Sequence, residues 1–272
     1  MGLATARRLV GTGVAVIMHG PDRSTVDAAR ATIASTQPGA DLEIAVADLS
    51  SQAEVRALAA DIQHRFGALD IMISNAAAVF DRWRMTPEGV ERTFAVNHLA
   101  PYLLTRLLVP TLEKSDDGRV VILGSEAHRK AAWDPDRLDR SDPYERFDAY
   151  AGSKLANLLF NAELSRRLIE RGRSVTTNAM HPGTVGTHLF RPRNVVERIA
   201  MPIINLRGVS PKTASDTVAW LATTPEVRGH SGGYYHKRSL VDPSSAASDE
   251  HNAFELWKLS AELTDLPIEL GD

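Results

Sequence analysis

Short apolar runs alternate with stretches of helical periodicity along the whole chain. Strands are predicted at residues 14–18, 42–47, 69–74, 120–123, 174–180 and 233–235. Helices are predicted at residues 2–10, 26–33, 149–171, 214–221 and 250–263, with two more introduced by Ser51 and by Thr86-Pro87. Strands that alternate with helices at this spacing form βαβ units, which assemble into a parallel sheet covered by helices. We therefore predict one α/β domain over residues 1–272, with a doubly wound parallel sheet in three αβα layers.

Two local signals indicate helix starts, and two segments show no regular period. Ser51, followed three residues later by Glu54, predicts a capping box. Thr86-Pro87 predicts an N-cap followed by the first helical position of a long helix. Residues 126–147, rich in Asp, Arg and Pro, are predicted to form an insertion loop. Residues 188–210 are predicted to form a segment that covers the substrate.

The composition argues against several classes of function. A net charge of −3 over 272 residues offers no basic field for nucleic acid. The absence of cysteine excludes disulfides and thiol catalysis, and the nine histidines show no metal-ligand spacing. No apolar run approaches the ~20 residues of a membrane span, and no signal peptide is visible. A cytoplasmic enzyme without metal, membrane or nucleic-acid partners is the prediction.

Tyr150 and Lys154 form the residue pair with the clearest chemical consequence. They are four positions apart on the predicted helix 149–171 and so share one face of it. An ammonium ~4 Å from a phenol stabilises the phenolate by about 4 kcal/mol at an effective dielectric near 20. Such an effect would bring a tyrosine pKa of about 10 toward the range of proton transfer near neutrality. Taken alone, however, such a pair is more often a half-buried aromatic beside a solvated lysine.

The pair belongs to a series of motifs at the carboxyl ends of predicted strands or on the adjoining helices, where open α/β sheets bind ligands. The series comprises Ser74-Asn75-Ala76-Ala77, Asn97-His98-Leu99, Ser125, the run from Tyr150 to Leu159, Pro182-Gly183 with Thr187, and Leu256 to Ser260. Separately, each has a structural explanation, such as a strand-end turn or a buried amide. In this order and spacing, over the whole chain, they resemble the short-chain dehydrogenase/reductase family, in its retinol-dehydrogenase-like branch.

The resemblance implies a Rossmann-like fold and an NAD(P)-dependent hydride transfer between an alcohol and its carbonyl. It implies Tyr150 as general acid/base and Ser125 as a hydrogen-bond donor to the reacting oxygen. Lys154 would lower the tyrosine pKa and hold the nicotinamide ribose, and Asn97 would anchor a water that links Lys154 to solvent. The implied cofactor-binding residues are Gly2, Arg23, Asp48, Leu49, Asn75, Ala76, Ala77, Tyr150, Lys154, Pro182, Gly183 and Thr187.

The chain departs from the family pattern at its beginning. The family opens with a strand and a Thr-Gly-x-x-x-Gly-x-Gly loop, and Met1-Gly2 aligns only with the last two positions of that loop. That strand is central in the family's sheet, so we predict two inner strand edges without a partner. Without the loop we expect weak cofactor binding. We expect the natural start to lie upstream.

Two predictions leave a second possibility open: the choice of cofactor and the class of function. NADP is predicted over NAD because residues 19–23 offer no acid at the position of an NAD-type ribose contact, while Arg23 could reach a 2′-phosphate. The expected partner is a small-molecule alcohol or carbonyl. The apolar faces of the helices bearing Asn97 and Tyr150 could pair in a homodimer or belong to the core. The alternative function is a non-catalytic dinucleotide-fold binding or regulatory protein, motivated by the absent phosphate loop.

Overall fold

Strands and helices alternate through residues 1–135, 144–183 and 210–271, which a computed structural model describes. The helices are α1 (Gly2–Val10), α2 (Arg23–Ala34), α3 (Gln52–Arg65), α4 (Arg92–Phe94), α5 (Ala100–Leu112), α6 (Arg146–Glu170), α7 (Pro211–Thr223) and α8 (Glu250–Leu263). The strands are β1 (Val16–Gly20), β2 (Leu42–Val46), β3 (Ile71–Ser74), β4 (Arg119–Leu123), β5 (Thr176–Met180), β6 (Tyr234–His236) and β7 (Ser239–Leu240). Every predicted strand is present, and the short β7 is an addition that the sequence did not indicate.

The sheet is divided into two parts. β3, β4, β5 and β6 pair in parallel in that order, and β7 joins β6 antiparallel. β1 and β2 form a separate parallel pair in which Val16 lies opposite Leu42. In the part of the chain that is described, no strand lies between β1 and β3. The predicted α/β fold is therefore confirmed, with a gap in strand pairing between the β1–β2 pair and β3.

We expect the strand edges that face this gap to exchange their amide hydrogens faster than the paired edges. The Val16 amide donates to Asp41, on the β2 side, so by strand alternation the Met18 amide also faces β2 and the Ile17 amide faces the gap. We expect Ile17 to exchange roughly 100-fold faster than Met18, equivalent to about 3 kcal/mol of opening free energy. Hydrogen exchange followed by NMR measures both positions. Equal protection of the two amides would mean that the gap is closed in solution.

The helix that carries Asn97 begins later than the sequence predicts. Thr86-Pro87 does not open it but lies in a turn that includes Gly89, whose φ is 77°. α4 begins after Glu91, whose buried carboxylate accepts hydrogen bonds from the Thr93 and Phe94 amides, both at 2.8 Å. A carboxylate that satisfies two first-turn amides, and that complements the helix dipole, replaces the predicted threonine cap. The prediction of a start at Thr86-Pro87 is wrong for this reason.

The predicted capping box at α3 is half formed. The Ser51 side chain accepts a hydrogen bond of 3.3 Å from the Glu54 amide, as expected. The Glu54 carboxylate, however, accepts from the Asp48 amide at 2.7 Å. The Ser51 amide donates to the Asp48 carbonyl. Glu54 therefore anchors the turn that leads out of β2, which is the turn that borders the site.

The two segments without period are described only in part. The predicted insertion loop begins as a 3₁₀ helix, Glu126–Lys130, and its last residues form the first turn of α6, which starts at Arg146. Residues 136–143 of that loop lie outside the described residues. Of the segment predicted to cover the substrate, residues 188–209 also lie outside the described residues, and only Ser210 is described. Ser210 is the N-cap of α7 and accepts a hydrogen bond from the Thr213 amide.

Helices α5 and α6 are buried within one chain. α3 packs against α5, and α8 packs against α6. Trp257 of α8 is stacked on Phe160 of α6 at 6.0 Å between ring centroids, and both side chains are almost fully buried. The apolar faces of these helices are therefore core, which was the alternative to a homodimer surface. Within the described ranges, no helix has the length and apolar content that crossing a bilayer requires.

Candidate active site

A cleft of about 1020 Å³ opens at the carboxyl ends of the parallel strands, the edge at which such sheets bind ligands. Its volume suits a cofactor together with a small substrate. The predicted site residues in its walls are Asp48, Leu49, Asn75, Ala76, Ala77, Ser125, Tyr150, Lys154, Pro182 and Gly183. Gly2, Arg23 and Asn97 do not line it, and Thr187 lies outside the described residues.

The hydroxyl groups of Tyr150 and Ser125 meet in this cleft. Tyr150 lies on the second turn of α6, and Ser125 follows β4 as the N-cap of the 3₁₀ helix. The Ser125 side chain lies near the Tyr150 hydroxyl, where it favours the ionised phenol. Ser125 Oγ also accepts a hydrogen bond of 3.2 Å from the Ala127 amide. A substrate oxygen placed here could contact both hydroxyls at once.

Lys154 lies one helical turn beyond Tyr150 and is buried. Its Nζ donates a hydrogen bond of 2.8 Å to the Leu123 carbonyl and lies 5.8 Å from the centroid of the Tyr150 ring. Burial disfavours the ammonium and lowers the pKa of Lys154 to about 8. The Leu123 carbonyl also accepts a longer hydrogen bond, 3.5 Å, from Asn157. Lys154 thus remains charged at neutral pH although its side chain is removed from water.

The pKa of Tyr150 shifts in the direction opposite to the sequence-based prediction. Burial raises it above the ordinary value of about 10, and the hydrogen bond with Ser125 offsets only part of that effect. The spacing of Tyr150 and Lys154 indicates their shared helix face but not the depth at which that face is buried. In this structure the phenol is therefore held protonated at neutral pH.

Asn97 lies in the π-helical turn Ala95–Leu99 between α4 and α5, a type of distortion that is frequent at functional sites. Its Oδ1 accepts a hydrogen bond of 2.7 Å from the Ala78 amide, and its Nδ2 donates to the Ala78 carbonyl at 2.9 Å. The second Nδ2 hydrogen goes to Ser153 Oγ at 3.0 Å, and Ser153 Oγ donates to the Tyr150 carbonyl. Asn97 therefore ties the turn after β3 to the helix that bears Tyr150. With both Nδ2 hydrogens engaged, a water at Asn97 would have to use another atom.

One end of the cleft is formed by the turn that follows β2, where the family resemblance predicts an adenine contact. Asp48 and Leu49 follow β2 there. Asp48 Oδ1 accepts hydrogen bonds from the Ser50 amide and hydroxyl, both at 2.8 Å. The Ser50 amide contact, with the more distant charge of Arg92, holds the pKa of Asp48 below its usual value. Asp48 is thus a turn acid that also lies in the cleft wall, and its contact with an adenine stays a prediction.

The turn after β3 and the start of α1 fit a phosphate-bearing cofactor. Asn75 Oδ1 is buried and has no hydrogen-bond partner, so a donor in the cleft would satisfy it. A Cβ at Gly2 would lie 2.8 Å from Asn75 Nδ2, so a side chain there would require the Asn75 amide to shift. Met1 lines the cleft and precedes the first amides of α1, which have no side-chain cap. Uncapped helix amides are suited to bind an anion.

Arg23 is one of the three described predicted residues that do not line the cleft. It is the first residue of α2, and its guanidinium pairs with Asp27 at 2.9 Å, with 71% of the side chain exposed. Asp22, which precedes it, accepts hydrogen bonds from the Thr25 amide and the Ser24 hydroxyl. These bonds, with Ser24 the largest contribution, lower the pKa of Asp22 to about 2. The only acid at the end of β1 is thus engaged as the cap of α2, a use the sequence did not indicate.

Two residues of the site escaped the sequence analysis. Glu126 lines the cleft directly after Ser125, and its carboxylate lies 3.2 Å from Nε2 of the buried His181. His181 Nδ1 accepts a hydrogen bond of 3.3 Å from the Gly183 amide. Burial lowers the pKa of His181 to about 4, so the ring is neutral and its two nitrogens have opposite roles. His181 therefore connects the segment containing Gly183 to Glu126. The only sequence signal for these two residues was that Glu126 follows Ser125 and His181 precedes Pro182.

The fold and the cleft define the class of this protein. The model of the family described as short chain dehydrogenase matches residues 1–197, so the chain belongs to the short-chain dehydrogenase/reductase family. Its members are NAD(P)-dependent oxidoreductases that act on CH–OH groups, as predicted. The resemblance to the retinol-dehydrogenase-like branch is likewise confirmed by the relatives.

Those relatives are similar over nearly the whole chain. Human retinol dehydrogenase 14 is 33% identical over 283 residues, which cover 98% of this chain and 83% of the relative. Mouse polyprenol dehydrogenase is 33% identical over 269 residues, covering 97% and 80%. A crystal structure of an uncharacterized protein from Mycobacterium paratuberculosis superposes with a TM-score of 0.79 and 29% identity, covering 100% and 91%. A metagenomic short-chain oxidoreductase in complex with NADP shares the fold, with a TM-score of 0.59 and 23% identity over 88% of each chain.

Proposed function

We propose that this chain interconverts a small-molecule alcohol with its carbonyl compound, with Tyr150 as the general acid and base. The observation that carries the proposal is that Ser125, Tyr150 and the buried Lys154, which lies one helical turn beyond Tyr150, line the same cleft. Relatives that bear the names retinol dehydrogenase and polyprenol dehydrogenase support an alcohol as one of the two reactants.

Each of the three side chains has a separate task in this reaction. In reduction the Tyr150 hydroxyl gives its proton to the carbonyl oxygen, and Ser125 donates a hydrogen bond to that oxygen as negative charge develops. The raised pKa of Tyr150 keeps the phenol protonated, which is the form that reduction requires. The Lys154 ammonium stabilises the phenolate that remains. A nicotinamide cofactor, when bound, supplies the hydride in this direction and accepts it in the other.

We propose NADP as the preferred cofactor. An NAD-type contact requires a carboxylate free to accept from the ribose hydroxyl groups. At the end of β1 the Asp22 carboxylate is instead bonded to Ser24 and Thr25. Arg23 follows Asp22 on the exposed first turn of α2. If Arg23 turned from Asp27 to a 2′-phosphate, one surface ion pair would replace another, at little cost in free energy.

An assay with both cofactors tests the proposed function. We expect reduction of aldehydes or ketones from a broad panel, followed by the absorbance of the reduced nicotinamide. NADPH should be preferred by about tenfold, the effect of about 1.4 kcal/mol from one charge-assisted contact. Fluorescence titration of NADPH and NADH measures binding independently of turnover. Cofactor binding without turnover on any carbonyl would instead support the non-catalytic alternative.

A further inference from the structure

We propose that His128 is a positioning residue for Ser125, which it holds through an imidazole bridge to the backbone of Ser244. The inference rests on the proposed function, because it presupposes that the Ser125 hydroxyl contacts the reacting oxygen. His128 lies on the 3₁₀ helix that follows Ser125 and does not line the cleft. It would therefore act through Ser125 and not on the substrate.

The hydrogen bonds of His128 fix its tautomer. The Ser244 amide donates to His128 Nε2 at 3.1 Å, so Nε2 is an acceptor and the ring proton resides on Nδ1. Nδ1 then donates to the Ser125 carbonyl, at 2.6 Å. The side chain is completely buried, and burial lowers its pKa, so the ring is neutral as this arrangement requires. Both ring nitrogens are thus engaged, one on the site and one on the segment between β7 and α8.

The bridge restrains Ser125 at the atoms that set its orientation. The Ser125 carbonyl accepts from two donors of His128, its ring Nδ1 and its backbone amide at 3.1 Å. The Tyr234 ring packs against the imidazole at 5.4 Å between centroids, with an interplanar angle of 85°. The position of the His128 imidazole therefore fixes the position of the Ser125 carbonyl. A displacement of about 1 Å in a reacting group can lower turnover by on the order of 100-fold, so such a restraint has a measurable consequence.

Two substitutions separate the two ends of the bridge. An asparagine amide nitrogen can occupy the position of Nδ1, so His128→Asn preserves the contact with Ser125 and loses that with Ser244. A glutamine amide group reaches the position of Nε2, so His128→Gln preserves the contact with Ser244 and loses that with Ser125. We expect His128→Asn to retain kcat within about threefold and His128→Gln to lower kcat at least about tenfold. The cofactor Kd should be unchanged in both.

The two variants are expected to differ in stability in the order opposite to their kcat values, so the comparison separates a positioning role from a structural one. Asparagine leaves the larger cavity, so a purely structural role predicts that His128→Asn is the less stable and the less active variant. Thermal unfolding and kcat are measured on both. A kcat for His128→Gln equal to or above that for His128→Asn overturns the proposal. Full turnover by Ser125→Ala would overturn the proposed function instead, because it removes the hydroxyl that the bridge is inferred to position.

The other end of the bridge provides a test if either histidine variant fails to fold. Ser244 has φ −69°, which suits proline, so Ser244→Pro removes the donor to Nε2 and places the proline ring where the amide hydrogen was, which displaces the imidazole from this end of the bridge. Ser244→Ala is its matched control, since both lose the hydroxyl that accepts from the Ala247 amide. We expect kcat to fall at least about threefold more in Ser244→Pro than in Ser244→Ala. Equal kcat values in these two variants contradict the bridge.

Discussion

Tyr150→Phe is expected to lower kcat by about 10²- to 10⁴-fold, the contribution typical of a positioned general acid or base. The substitution removes one oxygen and keeps the ring, whose packing on α6 determines its place in the cleft wall. Ser125 Oγ retains its contact with the Ala127 amide. The cofactor Kd should change by less than about threefold, the effect of under about 1 kcal/mol. Steady-state kinetics and fluorescence titration measure the two quantities.

Tyr235→Phe is the matched control for this experiment. Tyr235 is also buried, and burial raises the pKa of its phenol, but it lies on β6 and does not line the cleft. We expect its kcat to remain within about twofold of the unmodified protein, since it is remote from the reacting atoms. A Tyr150→Phe variant that is as active as Tyr235→Phe would refute the proton-transfer role. A loss of both turnover and cofactor binding would instead indicate a role in binding.

The placement of the site was predictable because it follows from topology. The carboxyl ends of parallel strands share one edge, so residues as distant in sequence as Asn75, Ser125 and Gly183 were expected to converge, and they line one cleft. Element bounds were also predictable where periodicity is strong, as for α8 at Glu250–Leu263. Both depend on local pattern and chain order, which the sequence contains directly.

The interactions that tune the site were not predictable in the same way. The buried Glu91 carboxylate, besides capping α4, accepts a hydrogen bond from the distant Tyr144. Asn97, in the π-helical turn, is hydrogen-bonded to the distant Ala78 and Ser153. The pKa of Tyr150 depends on how deeply its helix face is buried, which spacing alone does not give. Arg23 pairs with Asp27, one turn away on its own helix, and its contact with a 2′-phosphate stays a prediction. In each case tertiary packing or a local partner overrides the motif.

Lys154→Met is expected to abolish turnover and at the same time to stabilise the protein at neutral pH. The lowering of the lysine pKa from 10.5 to about 8 corresponds to on the order of 3 kcal/mol, at about 1.4 kcal/mol per pKa unit. Loss of the hydrogen bond to Leu123 subtracts about 1 kcal/mol. The Leu123 carbonyl keeps Asn157 as a hydrogen-bond donor in the variant. We therefore expect a gain of roughly 2 kcal/mol at pH 7, measured by chemical denaturation.

The pH dependence of this gain has a definite sign. Between about pH 8 and 10.5 the folded chain has lost the Lys154 proton while the unfolded chain retains it. The unmodified protein therefore becomes more stable relative to the variant as pH rises through this window, and the gain shrinks. Below about pH 8 both states are protonated and the gain is constant. Lys258→Met, which removes an exposed lysine, should change stability by less than about 0.5 kcal/mol at every pH.

The combined result distinguishes a catalytic lysine from a structural one. A lysine whose charge stabilises the fold predicts a less stable variant at pH 7, and a difference that is lost as pH rises above the ordinary lysine pKa. A buried ammonium that weakens the fold is instead expected where its charge serves a reaction, because activity and stability make opposing demands on such a group. Lys154 Nζ lies 5.8 Å from the centroid of the Tyr150 ring, where its charge can stabilise the phenolate. Stabilisation together with loss of turnover would therefore assign the charge of Lys154 to the chemistry of Tyr150 and not to the fold.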